Sequence, residues 1–211
     1  MASKARRVTR MSALLFVTLL VSTAAAQERG AQLYDFCSQC HRADGSGNPL
    51  VLAPSIAGLP HWYIENQLRK FREGVRGAHF DDIPGMRMRP MSLWLQSEAD
   101  LEAVAAHVAS MPRTNPEPIL VGGNATAGAA LFAPCVACHN PDASGNPKLF
   151  APPLAGASDW YLLSTLLRFK AGVRGANPAD QYGIMMVAMA STLPDAQAMR
   201  DVIAHIMTLS K

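Results

Sequence analysis

Apolar residues recur at helical spacing in several stretches of the chain, and each stretch has a twin 98 residues further on. Ile64, Leu68 and Phe71 fall three and four apart in a run from about Pro60 to Glu73, which predicts an amphipathic helix. Leu162, Leu166 and Phe169 do the same from about Asp159 to Ala171. Leu101, Val104, Ala105 and Val108 share one face of a helix beginning after Ser97, and Met199, Val202, Ile203 and Ile206 repeat this after Asp195. Ser and Asp both cap helix N-termini, because their side-chain oxygens accept from first-turn N–H groups that have no partner in the helix. Two shorter helices are expected from Glu28 to Phe36 and from Ala125 to Phe132. Strand signals are weak throughout, so the expected fold class is all-α.

The twins belong to one gapless duplication. Gly30 aligns with Gly128, Leu33 with Leu131, Ala53-Pro54 with Ala151-Pro152, and Trp62-Tyr63 with Trp160-Tyr161. Gly74-Val75-Arg76-Gly77-Ala78 aligns with Gly172-Val173-Arg174-Gly175-Ala176. The period is too long for a solenoid and is the size of a small domain. Two homologous domains are expected, over residues 27–111 and 125–211, joined by a Pro/Gly-rich linker over 112–124. Pro112, Pro116 and Pro118 predict an extended, stiff connector, and Gly122-Gly123 a turn before the second domain.

Residues 1–26 have a different character. Lys4, Arg6, Arg7 and Arg10 precede an apolar run from Met11 to Ser22 and the small residues Ala24-Ala25-Ala26. This predicts a signal peptide cut between Ala26 and Gln27, and a periplasmic location. The run is too short for a spanning helix, which needs ~20 residues; an uncleaved anchor is the alternative. Four of the 19 basic residues and none of the 16 acidic ones lie before residue 27, leaving 15 against 16. That balance gives no reason to expect a nucleic-acid partner.

All four cysteines lie in two copies of one motif, Cys37-Ser38-Gln39-Cys40-His41 and Cys135-Val136-Ala137-Cys138-His139. Cys-x-x-Cys-His is the attachment signature of a c-type haem. Two cysteines three apart on a helical turn reach the two vinyl groups of one porphyrin edge, and the adjacent histidine offers the iron a proximal nitrogen. A zinc site would need further ligands in a compact cluster, and a thiol–disulfide motif a βαβ context. A disulfide framework leaves the histidines unexplained. Two covalent haem c groups are therefore expected, each completing a core that so short a domain would struggle to build alone. Candidate sixth ligands are the methionines near each C-terminal third. Only Met88/Met186 and Met91/Met189 are matched across the repeat; Met86 aligns with Ile184, and Met185 with Arg87. His107 and His205 also match but sit inside amphipathic helices, where packing is the plainer role. His61 and His79 align with Asp159 and Asn177, so neither can serve both domains.

With these motifs in place, the chain resembles a diheme class I cytochrome c, most closely the cytochrome c4 family. Gly30 with Tyr34 and Gly128 with Phe132 resemble the family's N-terminal helix, and Trp62-Tyr63 to Gly74 and Trp160-Tyr161 to Gly172 its middle helix. The stretches from Met88 to Leu95 and from Met186 to Leu193 resemble its ligand loop. The resemblance implies Met88 and Met186 as axial ligands opposite His41 and His139, with Met91 and Met189 packing. The family usually carries Tyr where this chain has His107 and His205. The resemblance further implies an electron carrier rather than an enzyme, with haem propionate edges facing across the domain junction. Its partners would be a quinol-oxidising bc-type complex and a terminal oxidase, with peripheral membrane association possible. The alternatives are the cytochrome subunit of a larger dehydrogenase, such as a flavocytochrome sulfide dehydrogenase, or a diheme enzyme such as a peroxidase or thiosulfate dehydrogenase. Arg69, Lys70, Arg72, Arg76, Lys148, Arg168, Lys170 and Arg174 are available for docking or for propionates, or are simply solvated.

Overall fold

In each half an N-terminal helix crosses a C-terminal helix, with the remaining helices between them. The computed structural model describes residues 27–209; the expected signal peptide lies outside the described residues. The first half holds α1 (residues 27–41), α2 (His61–Arg72), α3 (Ile83–Trp94) and α4 (Glu98–Ser110). The second holds α5 (Ala125–Phe132), α6 (Val136–His139), α7 (Asp159–Lys170), α8 (Gln181–Ser191) and α9 (Ala196–Thr208). Among the described residues there is no strand, only isolated bridges from Asn48 to Ala53 and from Asn146 to Ala151. No described helix is long and apolar enough to cross a membrane.

The apolar faces found in the sequence form the cores. Leu33, Tyr34, Leu68, Leu101, Val104 and Val108 are buried together in the first half. Phe132, Leu162, Met199, Val202, Ile203 and Ile206 are buried together in the second. Ser97 accepts from Asp100 N–H and Asp195 from Ala198 N–H, so both helices start where their caps predict. The terminal helices touch at glycine: a Cβ on Gly30 would overlap the Ala103 carbonyl, and one on Gly128 the Asp201 carbonyl. Only a residue without a side chain permits that crossing.

Two features differ from the sequence reading. The first haem motif continues α1 without a break, whereas the second is reached through a 3₁₀ turn over Ala133–Cys135. Pro134 lacks the N–H that an uninterrupted helix would use there. The stretches that resemble a ligand loop are helical, α3 and α8. Their hydrophobic pattern is poor because their apolar residues form no single buried stripe: Ile83, Leu93, Trp94 and Met185 are exposed, while Met186 and Met189 line a cavity. What starts them is a cap: Asp82 accepts from Gly85 N–H and Asp180 from Gly183 N–H.

Candidate haem sites and the junction between them

The two motif histidines are held identically. His41 Nδ1 lies 2.8 Å from the Pro54 carbonyl oxygen, and His139 Nδ1 lies 2.9 Å from that of Pro152. A carbonyl oxygen only accepts, so Nδ1 carries the proton and donates it, leaving the Nε2 lone pair free for a metal. Both rings are buried, and burial pushes both imidazoles down, toward the neutral form that ligates. Burial also pushes the Cys37 thiol up to about 11 and the Cys135 thiol upward. That opposes the activated thiolate a disulfide-exchange motif requires.

In the second half Cys135, His139, Met186 and Met189 line one cavity of about 1200 Å³, counting its open mouth. Its wall is mainly apolar, with Phe169 and Leu193 among the lining residues. In the first half Cys37, Tyr63 and Met88 pack against the domain core. Met186 and Met189 stand three apart on α8 and share the face toward His139, so in that half the fold brings both matched methionines to the cavity. His107 and His205 lie elsewhere, at the crossings of the terminal helices. The His107 ring is 5.3 Å from that of Tyr34, and the His205 ring 5.5 Å from that of Phe132. These contacts describe packing residues.

The second cavity is not private to its domain: Ser55, Leu59, Tyr63, Gln67 and Lys70 of the first half also line it. The two Gly-Val-Arg-Gly-Ala loops meet around a neighbouring pocket that shares Arg174 with it. Arg76 lies over the Phe71 ring at 4.3 Å and Arg174 over the Phe169 ring at 4.6 Å, the same contact in each repeat. The Gln67 side-chain oxygen accepts from Arg76 and, at 3.5 Å, from Arg174. Arg76 Nε is buried without a partner among the described residues. Burial alone would push the Tyr161 phenol up, but the Arg174 and Arg76 guanidiniums beside it prevail and lower it. So positive a field inside an apolar junction suits an anion.

These residues fit two haem c groups. Each half offers two thiols at the right spacing, a neutral imidazole with Nε2 free, and methionine thioethers on one helix face. The junction offers guanidiniums and phenols where carboxylates would be welcome. Gln67, Asp82 and Asp180 were not singled out from sequence, although both aspartates match across the repeat, and Tyr63 and Tyr161 were named there only as repeat and middle-helix residues. Of the eight cations available from sequence, Arg69 and Arg72 pair with Glu65 and Glu98 on the surface, and Lys170 donates to the Leu193 and Pro194 carbonyls.

The cytochrome c family profile matches residues 27–112 and again 125–210. The chain belongs to the cytochrome c family. It is a diheme cytochrome c of two tandem domains. This cytochrome is 32% identical over 204 residues to the thiosulfate dehydrogenase electron acceptor of Thiomonas intermedia, covering 91% of this chain and 86% of that protein. The crystal structure of cytochrome c4 from Pseudomonas stutzeri superposes with a TM-score of 0.65 at 25% identity, over 85% of this cytochrome and 96% of that chain. The thiosulfate dehydrogenase TsdBA of Marichromatium purpuratum superposes with a TM-score of 0.69 at 32% identity. That match covers 86% of this cytochrome but only 40% of the TsdBA chain, so this protein spans about two fifths of it.

Proposed function

We propose that this diheme cytochrome is an exported carrier of single electrons, located in the periplasm, that accepts them from a dehydrogenase oxidising a reduced sulfur compound and hands them to a terminal oxidase. The observation that carries the carrier role is the junction. The second-half cavity reaches Tyr63, Gln67 and Lys70 of the first half, and Arg76 and Arg174 come together beside it on the Gln67 oxygen; this junction of cations and phenols suits propionates, and haem edges drawn to it would lie close enough for electron transfer.

Each bound haem supplies a one-electron iron couple. Cys37 and Cys40, and Cys135 and Cys138, make the attachment covalent, while His41 and His139 present Nε2 to the iron. Met88 and Met186 would be the second protein ligands, a thioether being a ligand that raises the reduction potential. A haem held by both a histidine and a methionine would leave its iron no open position for a substrate, which favours a carrier over a peroxidase or a thiosulfate dehydrogenase.

The choice of donor rests on the relatives, three of which carry thiosulfate dehydrogenase in their names. The second reading keeps a quinol-oxidising bc-type complex as donor and rests on the likeness to cytochrome c4. Stopped-flow reduction separates the two. The oxidised protein should stay oxidised with thiosulfate alone and be reduced within seconds once a catalytic amount of thiosulfate dehydrogenase is added. Reduction only by a bc-type complex would select the second reading. Reduction by thiosulfate alone, or a high-spin ferric haem that binds cyanide rapidly, would make the protein an enzyme.

A further inference from the structure

Two ion pairs cross the domain junction, and they are images of each other under the repeat. Lys70 on α2 donates to Asp180 Oδ1 at 2.6 Å. Its counterpart Arg168 on α7 places Nε 3.6 Å from Asp82 Oδ1. Both carboxylates are shielded, the side chains of Asp180 and Asp82 being 3% and 6% exposed. The same two carboxylates cap α8 and α3, the helices that carry Met186 and Met88. Each domain thus sends a cation into the first turn of the other domain's methionine helix.

The surroundings make that turn stiff. A Cβ on Gly183 would overlap the Asp180 carboxylate, and one on Gly85 the Asp82 carboxylate, so both caps need glycine to sit this close. On the cation side, Arg76 N–H donates to the Lys70 carbonyl at 2.9 Å, and Arg174 N–H to the Arg168 carbonyl at 3.1 Å. The crossing cation and the junction arginine therefore belong to one rigid turn.

We propose that each domain positions the sixth ligand of the other's haem, with Lys70 holding Asp180 and through it Met186, and Arg168 holding Asp82 and through it Met88. Lys70 and Arg168 are positioning residues: each would act on a methionine through the carboxylate it pairs with, not as an iron ligand. A buried carboxylate that loses its cation is strongly destabilised where it stands and is drawn toward water. The cap then loosens, and the thioether six residues along α8 shifts with its helix. The control runs more strongly from the N-terminal to the C-terminal domain, because Lys70 makes a direct hydrogen bond whereas Arg168 stands off by a further ångström.

The inference rests on methionine ligation as proposed above, and one experiment tests both. The holoprotein is titrated with imidazole while the methionine–iron charge-transfer band and the methionine methyl resonances of the two haems are followed. Met88→Ala and Met186→Ala assign the signals. In Lys70→Met, imidazole should displace Met186 at an about tenfold lower concentration, while the Met88 signal keeps its wild-type midpoint. Arg168→Met should act on the Met88 signal, by less. Lys70→Arg should restore the Met186 midpoint, which a merely packing role for the lysine stem would not predict. Should Lys70→Met act on the Met88 signal, on both equally or on neither, the cross-domain assignment is overturned. Should Met186→Ala leave all signals in place, the ligand assignment itself is wrong. If Lys70→Met does not yield holoprotein, Asp180→Asn gives the same reading from the other partner, with loss confined to the Met186 signal.

Discussion

Asp159 opens α7, and its carboxylate does three jobs at 2% exposure of the residue. Oδ2 accepts from Ile119 N–H at 2.7 Å and from Leu120 N–H at 2.6 Å, and Oδ1 accepts from Trp160 N–H at 2.7 Å. It therefore ties the end of the proline-rich connector to the second haem domain. The repeat does not share this device, since His61 stands at the matching place. Asp159→Ala leaves three N–H groups without an acceptor. Hydrogen bonds to a charged group contribute about 1.5–3 kcal/mol each. Ile119 is 55% exposed and regains water, whereas Leu120 and Trp160 are better shielded. Two bonds lost nearly in full, less the desolvation cost of the anion that is removed with them, give a net loss of about 3 kcal/mol. That is a large part of the ~5–15 kcal/mol by which domains are stable. Urea unfolding of the holoprotein, followed by far-ultraviolet circular dichroism, measures it. His61→Ala should cost under about 1 kcal/mol, because its carboxylate neighbours are solvent-accessible. An Asp159→Ala loss below about 1 kcal/mol, or one matched by His61→Ala, would refute the anchoring role.

Met88→Ala and Met186→Ala should each remove the methionine–iron charge-transfer band from one haem and lower its potential in a redox titration, whereas Met91→Ala and Met189→Ala should keep both bands. Spectra unchanged in the first pair would reject the ligand set. His107→Ala should leave both haems six-coordinate and low-spin, its ring packing on Tyr34 rather than facing an iron. A lost axial ligand in the electron paramagnetic resonance spectrum would contradict this. Gly128→Ala should destabilise the holoprotein by about 2 kcal/mol in thermal or urea unfolding, since the new methyl overlaps the Asp201 carbonyl at the helix crossing. A neutral result would mean that α5 and α9 separate freely.

The cofactor and the order of the helices were legible because both are local. A Cys-x-x-Cys-His run must sit on one turn to grip one porphyrin, and Leu101, Val104 and Val108 must share a face at 3.6 residues per turn. The duplication added a second test of every position, which is why His61 could be set aside, while the matched His107 and His205 were read as packing because each lies inside an amphipathic helix. Helices α3 and α8 were not legible. Their caps, Asp82 and Asp180, stand before glycine and scattered methionines rather than before an amphipathic run.

The pairing of Lys70 with Asp180 lay beyond any pattern in the chain, because 110 residues separate the partners. The same is true of Arg76 and Arg174, which from sequence are two of many cations and in the fold share the Gln67 oxygen. Sequence by itself determined that there are two small helical domains, each built to hold a covalent haem by neighbouring residues. Tertiary structure alone decided that the domains meet through their cation-bearing turns, and so which buried charges find partners. The physical reason is that helix periodicity and haem attachment act over one or two turns, whereas desolvating a charge depends on everything packed around it.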